Sequence, residues 1–143
     1  MKQTRIYNFI GPNQEVVPIV APVDMDFPSV YLNDYGSYCG AGKGFGDVIV
    51  PETVWGLTIS IACYVHDKMW EDALPTWEAF HASNSIFLRN IISCIRVQSR
   101  SSFLKSLRMY RAVTYYNAVD KFGKKIFWDL KDEQSNTVEG EPV

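Results

Sequence analysis

The sequence predicts an α+β domain that is mostly α, with a small N-terminal β region and loops followed by a bundle of three helices. Three observations carry this. Residues 4–10 and 15–23 are rich in β-branched and aromatic side chains, with Gly11-Pro12-Asn13 as a turn between them. Beyond residue 53, apolar positions recur at helical spacing in three stretches. The chain has 143 residues, enough for one buried core and most naturally one domain. That domain is expected over residues 1–130, with residues 131–143 as an acidic, disordered tail.

Composition narrows the function classes. The net charge of −2 argues against a general nucleic-acid binder, so no nucleic acid is expected as partner. No apolar run approaches the roughly 20 residues that cross a bilayer. The opening MKQTRIYNFIGPNQE carries one Lys and one Arg but no apolar core, which predicts no signal peptide. Three cysteines do not make a disulfide scaffold, so reducing cytosol is the default compartment.

Taken in order, the first third reads as hairpin and extended connections. Pro18, Pro22 and Pro28 suit edge strands rather than a central one. Pro51-Glu52-Thr53 marks a helix start with Thr53 as N-cap. Trp55, Ile59, Ala62, Cys63, Met69 and Trp70 then follow helical spacing, and Pro75 predicts an end near Asp72 to Leu74. A second helix is expected from Ser83 or Asn84, burying Phe87, Leu88, Ile91, Ile92 and Ile95. A third is expected from Ser102 to Phe122, with Phe103, Leu107, Tyr110, Thr114, Tyr115, Ala118, Val119 and Phe122 on one broad face. Gly123 stands where a C-cap glycine belongs, and Lys121, Lys124 and Lys125 suit the negative helix end. Residues 132–143 lack an apolar pattern, hence the disordered tail.

The stretch from Tyr35 to Trp70 holds the chemistry. The turn Cys39-Gly40-Ala41-Gly42-Lys43-Gly44 can take positive φ and aim carbonyls or amides at one point. His66-Asp67 follows inside an apolar helix and supplies a base beside a hard-ion ligand. A histidine alone on an apolar stripe reads as a core residue bonded to a carbonyl. The preceding glycine turn and the adjoining Asp67 favour a functional one.

Tyr35-Gly36-Ser37-Tyr38-Cys39-Gly40-Ala41-Gly42 followed by Cys63-Tyr64-Val65-His66-Asp67 resembles the calcium loop and catalytic helix of the phospholipase A2 superfamily. The resemblance implies a phospholipase A2-like bundle. It also implies calcium held by the carbonyls of Tyr38, Gly40 and Gly42 and by the Asp67 carboxylate. His66 would then activate a water that attacks the glycerol sn-2 ester. Cys39 and Cys63 fall where secreted members place a disulfide; in a reducing compartment both would be packed thiols. A second resemblance covers Tyr35 to Trp128. Gly44-Phe45-Gly46-Asp47, Val50-Pro51, His66-Asp67, Ala82 to Phe87 and Tyr116 to Trp128 resemble a phage and prophage family of unsettled function. Its GF-x-x-D, VP, HD and AV-x-x-FG-x-x-W series implies a phage protein in a virion or a host cytoplasm.

The chain departs from these patterns at two places. Trp70 stands where the enzymes have Tyr, and an indole cannot accept a hydrogen bond. Asn84 stands where bacterial and viral members have the Asp that orients the histidine. An amide can fix the ring tautomer but does not stabilise an imidazolium as a carboxylate does. Asn84 reads equally as a helix N-cap. Asp120, on the third helix, is the alternative partner of His66. His81 reads as a loop or surface residue and Cys94 as a buried small hydrophobe.

From Ile86 to Val119 there is no Asp or Glu, while Arg89, Arg96, Arg100, Lys105, Arg108 and Arg111 are basic. Such a face can lie on anionic phospholipid, bind phosphate on another ligand, pair with the acidic tail, or simply be solvated. The sequence therefore predicts a calcium-dependent ester hydrolase with an acyl slot between the first helix and the N-terminal segment. The alternative is a non-enzymatic phage protein that keeps the fold as a binding or virion module.

Overall fold

The computed structural model describes residues 3–35, 53–54 and 57–140. Over these residues the chain is α+β, with two small antiparallel sheets and three helices. Strand β1 (Thr4–Ile10) pairs antiparallel with β2 (Val16–Pro22), Thr4 opposite Pro22 and Ile10 opposite Val16. The connection closes with Gly11 N donating to Glu15 O at 2.8 Å, and Gln14 takes the left-handed φ of 67°. An amide-bearing residue tolerates that region less easily than glycine, but the two ladder ends fix it. Val17, Ile19 and Ala21 alternate inward, so one face of the hairpin is core. A 3₁₀ turn, Leu32–Tyr35, follows and buries Leu32 and Tyr35.

The first helix starts later than the Thr53 cap predicts. Thr53–Val54 (β3) pairs with Leu57–Thr58 (β4), and α1 runs Ser60–Asp72 without a side-chain cap at Ile59. β-branched Thr53, Val54 and Thr58 suit a pleated ladder better than a first helical turn. Helix α2 runs Trp77–Gln98 and starts earlier than Ser83 or Asn84. Thr76 is the cap: its hydroxyl accepts from Ala79 N at 3.1 Å. Asn84 is consequently a buried position in the helix interior, not an N-cap. Another buried amide, Asn90, clamps α2 to the hairpin, taking Val20 N at 2.8 Å and donating to Val20 O at 2.9 Å.

Helix α3 runs Ser102–Gly140, through Gly123 and into the segment expected to be a disordered tail. Its buried seam is Ala112, Val119 and Phe127, whereas Phe103, Tyr110 and Phe122 of the predicted face are exposed. The extension is anchored: Lys131 Nζ donates to Trp70 O at 2.6 Å, and Gln134 Nε2 donates to Glu71 O at 2.9 Å. Those carbonyls are the open end of α1, which has no basic residue of its own in its last turn. The core is a single cluster spanning the hairpin, the 3₁₀ turn and all three helices. Among the described residues, no helix is long and apolar enough to cross a membrane.

Candidate active site

The first two turns of α1 are almost wholly buried, from Ser60 through His66, so the helix carries His66 into the core. The ring is 1% exposed. Trp70, one turn on, lies with its ring centroid 4.4 Å from that of His66, and Phe87 of α2 lies at 4.8 Å. Within this apolar enclosure the Asn84 amide meets the ring: His66 Nε2 and Asn84 Oδ1 are 2.6 Å apart. Asn84 Nδ2 in turn donates to Asp120 Oδ1 on α3 at 3.3 Å.

The order of donors fixes the tautomer. A carboxylate only accepts, so Asn84 must turn its NH₂ toward Asp120 and its oxygen toward His66. An amide oxygen also only accepts, so the His66 proton sits on Nε2 and the lone pair on Nδ1. Burial pushes the His66 pKa down from 6.5 to about 4, while the Asn84 oxygen, which favours the protonated ring, opposes that. His66 is therefore a neutral imidazole at physiological pH.

Three of the four residues expected to be catalytic thus form one chain: His66, Asn84 and Asp120, from three different helices. Asn84 and Asp120, read from the sequence as alternatives, act in series. The fourth, Asp67, is half-buried on the next position of α1. The carbonyl ligands named with it, those of Tyr38, Gly40 and Gly42, lie outside the described residues. Among the described residues no three His, Cys, Asp or Glu side chains gather as a metal site. One carboxylate does not by itself make a calcium site. Cys63 is disulfide-bonded, while Cys39 lies outside the described residues. Cys94 is a free, buried thiol whose pKa burial pushes up to about 12, so it stays protonated and inert.

His81, expected as a loop or surface residue, is exposed but helical. It lies on α2, its side chain 53% exposed, with Nδ1 3.3 Å from the same Asp120 Oδ1. With α2 placed from Thr76, the spacing of His81 and Asn84 puts both on one helix face. That signal was hidden by placing the helix start at Ser83 or Asn84.

Two cavities flank these elements. One, of about 750 Å³, opens between the end of α1, the end of β2 and the start of α2, with Pro22, Met69, Ala73, Leu74 and Ala82 among its walls. The other, of about 480 Å³, lies between the hairpin and α2, beside Arg89 and Arg96. His66 lines neither. Arg89, Arg96, Arg100 and Arg111 are exposed and Lys105 half-buried. Arg108 is buried, with Nη1 donating to Ser99 Oγ at 3.1 Å.

Compared with known proteins, the chain matches no family model, no curated protein and no solved structure.

Proposed function

We propose that this chain is a phospholipase A2-like ester hydrolase of phage or prophage type, with His66 as general base. The observation that supports it best is the chain His66–Asn84–Asp120, which places the lone pair on Nδ1. In the reaction, Nδ1 takes a proton from water as the water oxygen bonds to the ester carbonyl carbon. The acyl C–O bond then breaks, the leaving alkoxide takes the proton back from Nδ1, and a fatty acid and a lysophospholipid separate. Asn84 holds the ring, and Asp120 offers its charge to the transient imidazolium only at one remove. Turnover is accordingly slow compared with a His–Asp pair.

The acyl chain enters the cavity walled by Pro22, Met69, Ala73 and Leu74, which lies where the slot between first helix and N-terminal segment is expected. Asp67 is the described residue that would hold calcium, with the carbonyls of Tyr38, Gly40 and Gly42. Calcium there would polarise the ester carbonyl. A phospholipid surface is met by the basic residues Arg89, Arg96, Arg100 and Arg111. Phe103 and Tyr110, 72% and 74% exposed and two turns apart on α3, add apolar contact at that surface.

One observation favours the other reading, a non-enzymatic phage binding or virion module: the His66 ring is enclosed by Trp70 and Phe87. Fatty-acid release from mixed phospholipid vesicles, with calcium and with chelator, separates the two. The hydrolase reading expects release that calcium increases and that His66→Gln abolishes while circular dichroism is unchanged. No release from any phospholipid class, and no heat in a calcium titration, would establish the binding module instead.

A further inference from the structure

We infer that His81 is a positioning residue for His66, acting from the protein surface through Asp120 and Asn84; its role in catalysis rests on the hydrolase reading. Helix α2 presents two side chains one turn apart, His81 and Asn84, to a single carboxylate oxygen of α3. Each approaches Asp120 Oδ1 at 3.3 Å.

The His81 ring is itself oriented by aromatic neighbours. Trp77 stacks on it at 6.0 Å and 23°, and Phe80 meets it edge-on at 5.2 Å. Between these contacts the side chain stays 53% exposed, with Nδ1 toward Asp120. The Asp120 side chain is 31% exposed, so water competes for its oxygens. His81 supplies the second contact that keeps Oδ1 over the Asn84 amide.

The consequence reaches His66. With Asp120 held, the amide has one orientation and the imidazole one tautomer, Nε2–H. With Asp120 released to solvent, the amide can present either end to the ring. An NH₂ group facing Nε2 obliges that nitrogen to accept, moving the ring proton to Nδ1 and removing the lone pair the general base needs. A half-exposed histidine thus selects the protonation site of a buried one. His81 touches no reacting atom in this scheme, which makes its role one of positioning.

Long-range ¹H–¹⁵N correlation spectra of the full chain, labelled at histidine, read both tautomers directly. Wild type is expected to show His66 as a single Nε2–H species. His81→Ala, a change at a half-exposed position that leaves the core intact, is expected to average the two His66 nitrogens or shift them toward Nδ1–H. Asp120→Ala should reproduce that shift. His81→Asn, whose amide NH₂ stands near the place of Nδ1, should restore the wild-type pattern. An unchanged His66 pattern in His81→Ala would overturn the inference, as would a failure of Asp120→Ala to move it. These spectra do not depend on turnover. A tautomer shift in a protein that releases no fatty acid upholds the positioning and removes the hydrolase. Release that is unaffected by His81→Ala, with an unmoved tautomer, does the reverse.

Discussion

Gly123 of α3 lies against the indole of Trp70: a Cβ added there would stand 2.7 Å from Trp70 Cη2 and 3.2 Å from Cζ2. The absence of a side chain at 123 is what lets the ring reach across from α1 and settle over His66. Gly123→Ala gains up to about 1 kcal/mol of helix propensity but loses about 1–3 kcal/mol to overpacking. Trp70 is 1% exposed and cannot move aside, so packing should win and the variant should be less stable by about 1 kcal/mol in urea denaturation. In a Trp70→Phe background, where the clashing carbons are gone, the same substitution should become neutral or stabilising. A penalty that survives in that background would locate the conflict elsewhere.

His66 makes stability depend on pH in a defined window. Its folded pKa is about 4 against 6.5 in the open chain. Between those values the unfolded chain binds a proton that the folded protein refuses, so stability falls as pH drops from about 6.5 toward about 4. The full span corresponds to about 3 kcal/mol, because each unit is worth about 1.4 kcal/mol. Carboxylates also titrate at the lower end, so the measurement is the difference between wild type and His66→Gln across pH 4 to 7. That difference should shrink as the pH falls. A difference that is flat over this range would mean that the ring is not buried neutral.

The hairpin was legible because its signals are local: β-branched runs, a Gly-Pro-Asn turn and alternating burial all lie within twenty-odd residues. The register of α1 was legible for the same reason, and it placed His66 on the buried stripe. What failed were helix boundaries whose meaning depends on distant partners. Ser83 and Asn84 have cap chemistry, but Pro75-Thr76 had already started the helix, so Asn84 became free to meet His66. Gly123 has the look of a helix stop, and only the indole arriving from α1 shows it to be a packing contact. The Lys131 ammonium bonding Trp70 O likewise belongs to no local pattern. The His66–Asn84–Asp120 residues could be named from sequence, but not the order in which they connect.

Asn84→Asp tests the weakest member of that chain. A carboxylate 2.6 Å from Nε2 would favour the imidazolium, so the His66 pKa should rise from about 4 toward or above its ordinary value, as ¹⁵N titration would show. The new charge would also face Asp120 in a buried place, at a cost of about 1–3 kcal/mol in stability. Under the hydrolase reading, fatty-acid release should increase at least tenfold despite that cost, since replacing an orienting Asp by Asn in a triad costs about four decades. A raised pKa with no gain in release would count against His66 as base. A pKa that stays low would mean that residue 84 does not meet the ring.

Lys131 connects the far end of α3 to this site. Its ammonium donates to Trp70 O at 2.6 Å, Glu71 O at 3.3 Å and Gln134 Oε1 at 3.1 Å, serving as the basic group that the last turn of α1 lacks. Burial holds its pKa below the ordinary lysine value, while the negative charges of Asp72 and Glu71 oppose that shift. Lys131→Met keeps an unbranched apolar side chain and removes the ammonium, which also lies 5.4 Å from the Phe127 ring centroid. The change should cost about 2–4 kcal/mol, the sum of a lost charge-assisted bond and a lost charge at a helix C-terminus. Because Trp70 is the residue whose carbonyl is released, its ring should loosen over His66. Hydrogen exchange should therefore quicken in the last turn of α1 before it does in α2. Uniform quickening through all three helices would instead mean that Lys131 contributes to global stability without holding Trp70 in place.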